Sequence, residues 1–206
     1  MKALFTGWGT RVLITGVILT MGLAHAEDND AALQDYADLL SKMQTGQVTL
    51  QGDDPAAKVK LPPGWTLVHR GSNKGLWFLI EGRSPKDSKC TLLFAQNDNK
   101  FFFASPKGTG SPVAVYAGPG MDSPTSPQKV EVSMRLNEQS GRAPFAWMPG
   151  AYLITPIKLQ ETVKSIVDRG DFEMMLDGKT VLVAATEGGF KGRDAMLACM
   201  AKHKLR

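Results

Sequence analysis

Histidine and cysteine are the rarest chemistry-bearing residues of this 206-residue chain, which has three of the first and two of the second. No H-E-x-x-H and no pair of histidines at ligand spacing occurs, so a zinc site is not expected. C-x-x-C is absent too, which removes the thioredoxin-type redox motif. Serine chemistry is equally short of signal. There is no G-x-S-x-G elbow, and GTGSP at 108–112 has proline where the elbow needs its second glycine. The surrounding SPKGTGSP lacks the G-K-[ST] of a phosphate-cradling loop. Glu131 and Glu173 lie on alternating stretches and read as solvent-facing, while His69 and His203 read as strand and tail residues. No catalytic residue, metal ligand or cofactor-binding residue is assigned, and no cofactor is expected. Without a basic run or stripe, nucleic acid is not an expected partner.

What is present begins with an address. MKALFTGWGTR carries Lys2 and Arg11 and no acid, and the apolar VLITGVILTMGL follows it. AHA then sets small residues at Ala24 and Ala26 ahead of the acidic EDND. That order describes a cleavable signal peptide over 1–26. Its apolar run is shorter than the ~20 residues of a membrane span, so no transmembrane anchor is expected after cleavage. Lys2 and Arg11 would leave with the signal, taking the 24 basic residues to 22 against 20 acidic ones, a net charge of +2. The expectation is a periplasmic or secreted protein starting at Glu27.

Downstream, DNDAALQDYADLLSKMQTG places Leu33, Tyr36, Ala37, Leu40 and Met43 at helical spacing. This predicts an amphipathic helix that packs on the following domain or swings on a tether. A turn-rich linker, QGDDPAAKVKLPPG, completes the 27–64 region. From Trp65 the pattern changes to short strands: WTLVH, LWFLIE, CTLLFA and KFFFAS. A Gly/Pro-rich loop around VAVYAG and GPGMDSPTSPQ comes next, then the alternating strand KVEVSMRLN and two short strands around Pro149-Gly150. TPIKLQETVKSIVDRG predicts a helix capped by Thr155, with Pro156 in its first turn and Gly170 as its stop. Asp177-Gly178 predicts a type I′ hairpin, and a short helix, Asp194 to His203, closes the chain. The fold class expected for 65–206 is mainly β or α+β: an antiparallel, sandwich-like domain with about nine strands and few helices.

Two features bear on packing. In FFF at 101–103, Phe102 must point opposite to Phe101 and Phe103. Either both sheet faces are covered, with the first helix able to supply one cover, or aromatic surface is offered to a partner. Cys90 and Cys199, in an exported chain, can pair in only one intramolecular way. An oxidising compartment favours that bond over two separate buried thiols or a catalytic thiol.

The order of elements resembles the invasion-associated locus B family, small exported bacterial proteins linked in some pathogens to host-cell invasion. The likeness runs over about 65–201. It takes in WTLV, CTLLFA, VAVYAGPGMDSP as a strand running into a Gly/Pro loop, VEVSMRLNEQSGRAPF, the helix LQETVKSIVDRG and the closing GGFKGRDAML. It departs where that family usually has a close cysteine pair after its Pro-Phe strand, since MPGAY has none, and the stretch 28–45 lies outside it. The resemblance supplies no catalytic residues and implies a role in virulence or host interaction. The function expected is therefore non-enzymatic: binding a protein partner in the cell envelope. Tyr36, Leu40, Trp65, Trp77, Phe102 and Trp147 are the candidate partner surface. The alternatives are an accessory subunit of a secretion or conjugation assembly and an envelope hydrolase, the last requiring His69 beside a serine or carboxylate.

Overall fold

A computed structural model describes residues 61–84, 87–106 and 110–205. The expected signal peptide and the helix expected after it, with Tyr36 and Leu40, lie outside the described residues. Ten strands form one antiparallel sheet: β1 (Trp65–Arg70), β2 (Leu76–Glu81), β3 (Cys90–Gln96), β4 (Asn99–Ala104) and β5 (Val113–Ala117), then β6 (Gln128–Leu136), β7 (Gln139–Met148), β8 (Tyr152–Pro156), β9 (Arg169–Leu176) and β10 (Lys179–Glu187). Their spatial order is β1-β2-β3-β4-β5-β8-β7-β6-β9-β10. Among the described residues two helices accompany them, α1 (Leu159–Lys164) and α2 (Gly189–Lys202).

Turn chemistry sets the registers. Asp177 and Gly178 both have positive φ, +50° and +77°, as the type I′ hairpin between β9 and β10 requires. Asn97 and Asn137, the residue types that best tolerate the left-handed region, turn β3 into β4 and β6 into β7.

The sheet curls until its two halves face each other. Phe101 on β4 packs edge-on against Phe172 on β9 and Tyr116 on β5 packs tilted against it, with centroids at 5.7 and 5.8 Å, although those strands are not neighbours. The enclosed core joins Trp77, Phe94 and Phe101 from one half to Val132, Met174 and Leu182 from the other. Met196 and Met200 of α2 and Leu159 and Val163 of α1 belong to the same core. This is the sandwich-like β-rich architecture the strand pattern predicts.

The curl also brings β10, a terminal strand, up to the β3–β4 turn. Gln96 Oε1 accepts from the Ala185 amide at 2.8 Å, and Asn99 Oδ1 accepts from the Val183 amide at 3.0 Å. Asn73 and Gln96 both donate to the Ala185 carbonyl. Side-chain amides thus occupy backbone groups that an open edge would offer to another strand.

A disulfide links Cys90, which opens β3, to Cys199 on α2, with Cα atoms 6.1 Å apart. Three glycines let α2 sit close enough. A Cβ on Gly188 would fall 1.8 Å from the His69 ring, one on Gly189 2.0 Å from the Val167 carbonyl oxygen, and one on Gly192 2.9 Å from the Trp77 ring. Gly188 also needs its φ of +76° as the residue preceding the helix.

Several local expectations differ from the structure. VAVYA, placed in a Gly/Pro-rich loop by its composition and read as a strand through the family resemblance, is β5, buried between β4 and β8 because both faces of this part of the sheet are covered. The helix after Pro156 spans only Leu159–Lys164, preceded by Lys158. Thr155 does not cap it; its hydroxyl donates instead to the Pro144 carbonyl, at 3.1 Å. Pro156 ends β8, and Gly170 lies inside β9, opposite Thr186, so it stops no helix. The closing helix begins at Gly189, five residues before the sequence pattern placed it, because the glycine run reads as a breaker yet is needed here for close packing.

Candidate functional site

The β1–β2 turn, GSNKG, comes back against the far end of β10. Gly71 N donates to Gly75 O at 2.7 Å, and Asn73 Oδ1 accepts from the Gly75 amide at 3.0 Å, which fixes the turn. Ser72 then presents both its amide and its hydroxyl to Glu187 Oε2, each at 2.8 Å. The other carboxylate oxygen of Glu187 accepts from Arg169 Nη2 at 3.1 Å; Arg169 is its cross-strand partner on β9. The Glu187 backbone carbonyl accepts from Trp77 Nε1 at 3.0 Å. One residue therefore joins the first hairpin, the last hairpin and the core tryptophan.

These groups border an open cleft of about 310 Å3. Ser72, Asn73 and Glu187 line it together with Asn137, Arg169 and Asp171. Asn137 is held by a reciprocal pair with Asp171, its amide donating to the Asp171 carbonyl at 2.8 Å and its Oδ1 accepting from the Asp171 amide at 2.9 Å. Thr186, also in the lining, donates its hydroxyl to the Gly170 carbonyl at 3.1 Å. The two large hydrophobic residues exposed among the described ones, Val183 on β10 and Phe190 in the first turn of α2, flank this stretch of chain. Arg193 lies over the Phe190 ring at 4.2 Å.

The electrostatics of the cleft are those of a clamp. Hydrogen bonds from Ser72 hold the Glu187 carboxyl below its ordinary value, with Arg169 and His69 adding in the same direction. A carboxylate so stabilised is a weak base, and Ser72 meets it directly, with no imidazole between them. His69 Nδ1 faces the Lys191 ammonium at 3.4 Å, and its Nε2 is buried without a hydrogen-bond partner among the described residues. The serine–base–orienter geometry required by the hydrolase alternative is not formed by these three side chains.

The remaining sequence candidates scatter. Trp77 and Phe102 are fully buried on opposite faces of the sheet, Trp77 in the enclosed core and Phe102 on the other side. Trp65 is half-buried and packs edge-on against Phe78, and Trp147 donates Nε1 to the Asp122 carbonyl at 2.9 Å. They form no common surface. Cys90, Cys199 and His203 bring donor atoms within 4.8 Å of one another, but the two sulfurs are bonded to each other and offer no thiolate. Glu173 is paired with Arg135 at 2.7 Å and lies below its ordinary pKa for that reason first, while Glu131 lies 3.5 Å from Arg142.

Sequence reasoning missed Glu187, Ser72 and Asn73. The available signal was a Gly-bounded GSNKG turn and an acid directly before Gly188-Gly189, but nothing in the linear pattern shows that the two meet. Comparison with protein-family models, curated proteins and solved structures finds no match for the chain.

Proposed function

We propose that this chain is an exported, non-enzymatic envelope protein that acts by binding another protein through the cleft at Glu187. The observation that carries this reading is the cleft's composition. Fixed hydrogen-bonding groups line it, and the exposed Val183 and Phe190 lie two residues before and three residues after its lining stretch Ala185, Thr186 and Glu187 in the chain, with Arg193 over the Phe190 ring. Aromatic and arginine side chains beside oriented polar groups are what protein interfaces concentrate. The leader-like N-terminus and the Cys90–Cys199 bond support an oxidising, extracytoplasmic location. The resemblance to the invasion-associated locus B family supports a role in host interaction as the finer form of this function.

A photo-crosslinking residue at position 190, in protein expressed and irradiated in intact cells, tests the proposal. A discrete adduct with a second envelope protein is expected, and it should disappear when Val183→Asp is added to a chain that still melts cooperatively. Recovery of the chain without an adduct from position 190, and from position 183 as well, would overturn the reading.

A further inference from the structure

The sheet has a second apolar face. Leu76 and Phe78 of β2, Leu93 of β3, Phe102 of β4, Val115 of β5 and Ile154 of β8 form a cluster separate from the enclosed core. Phe102, Leu93 and Val115 are completely buried and Phe78 is 1% exposed. Neither α1 nor α2 contributes to this cluster; both belong to the opposite face. A sheet face left to water does not bury a row of large side chains this fully, so a further layer must lie over it.

We infer that this layer is the chain's own segment 31–43, laid across β2, β3, β4 and β5. Three observations select it. Leu61, the first described residue, already packs on this cluster together with Trp65 and Leu67, so the preceding chain arrives on this face. Segment 31–43 is amphipathic in the required sense: Leu33, Tyr36, Ala37, Leu40 and Met43 fall on one helical stripe, with Asp35, Asp38 and Lys42 opposite. The dimensions also agree. A 13-residue helix is about 20 Å long at 1.5 Å per residue. Four strands spaced about 4.8 Å apart span about 14 Å between the outer two. The intervening stretch, 44–60, reaches far more than the distance needed, at about 3.3 Å per residue. Of the other stretches beyond the described residues, 1–26 is read as a leader removed on export, and 27–30, 85–86, 107–109 and 206 are too short to form a layer.

This occupant gives the FFF run its meaning: Phe101 and Phe103 face the enclosed core while Phe102 faces the N-terminal segment. It also removes Tyr36 and Leu40 from the surface offered to partners, leaving the cleft at Glu187 as an independent site on the described domain.

The test uses the full exported chain with a benzophenone amino acid at position 37, irradiated in dilute solution and mapped by peptide mass spectrometry. The expected product is an intramolecular crosslink to peptides of β2 to β5 that carry Phe78, Leu93, Phe102 or Val115. A crosslink between two copies, to the α2 face, or to no protein peptide at all would overturn the inference. A second measurement guards against a position-specific failure. Leu33→Asp with Leu40→Asp should raise binding of an apolar fluorescent dye several-fold and lower the melting temperature, whereas Lys42→Glu, on the opposite stripe, should change neither. Equal responses from the two stripes would refute the docking.

Discussion

At the scale of single residues, Gly188 and Glu187 show how little room the junction between β10 and α2 leaves. An alanine at 188 would be strained at φ +76° and would also drive its Cβ into the His69 ring. The first term alone costs about 1–2 kcal/mol, and a thermal melt of Gly188→Ala should show a total loss of roughly 3 kcal/mol or more, within the range for backbone strain plus overpacking. His69→Ala should recover part of that loss and leave the backbone part, so the pair would be non-additive. Full additivity would mean that the ring is not the obstacle. Glu187 supplies a pH-dependent contribution. Its folded pKa is below the ordinary 4.5, so the stabilisation from Ser72 and Arg169 is complete well above that value. It is lost as pH falls through the depressed folded value. Denaturant titrations of the native chain and Glu187→Gln should therefore differ by a constant amount at pH 6 to 8 and converge on acidification below 4.5. A difference that widened in acid would contradict this assignment.

At the scale of elements, strands were more legible than helices, and the reasons are local. Runs such as CTLLFAQ and the Asp177-Gly178 turn carry their own register information. β5 was harder to read because VAVYA is embedded in glycine and proline, and only its neighbours β4 and β8 make it a strand. The helices were misjudged in opposite directions. Thr155 and Pro156 mimic a helix start but are taken up by pairing with β7 and β5. Glycines 188, 189 and 192 mimic a stop but are required by close approach to His69, Val167 and Trp77. The cleft was illegible because Ser72 and Glu187 are 115 residues apart and meet only when the sheet curls. The same curl makes a testable claim about β10. If Gln96 and Asn99 occupy its edge, Gln96→Ala with Asn99→Ala should speed hydrogen exchange at the amides of Ala185 and Val183. The amides of Ala184 and Thr186, opposite Phe172 and Gly170 on β9, serve as the internal comparison. Uniform acceleration throughout β10 would point to general destabilisation and against edge capping.

For the whole molecule, the Cys90–Cys199 bond joins the beginning of β3 to the last helix across 109 residues of chain. Helix α2 is held by more than the bond. Met196 and Met200 are buried in the core, Lys202 donates to Glu81 at 2.6 Å, and Gly192 admits the Trp77 ring. Those contacts fix the native position of the helix, so the cross-link acts chiefly on the unfolded chain by forbidding the open conformations of a very long loop. For a loop of that size the chain-entropy model gives about 4–5 kcal/mol. Cys90→Ala with Cys199→Ala should therefore keep the near-ultraviolet circular dichroism of the folded chain, with its packed Trp77, Phe94 and Phe101 cluster. The same variant should lose several kcal/mol in urea unfolding, with the loss expressed as a lower midpoint. A loss below about 1 kcal/mol would show that the unfolded chain already keeps its two ends together. Collapse of the near-ultraviolet signal would show instead that the bond, rather than the methionine and glycine contacts, is what seats α2 on the sheet.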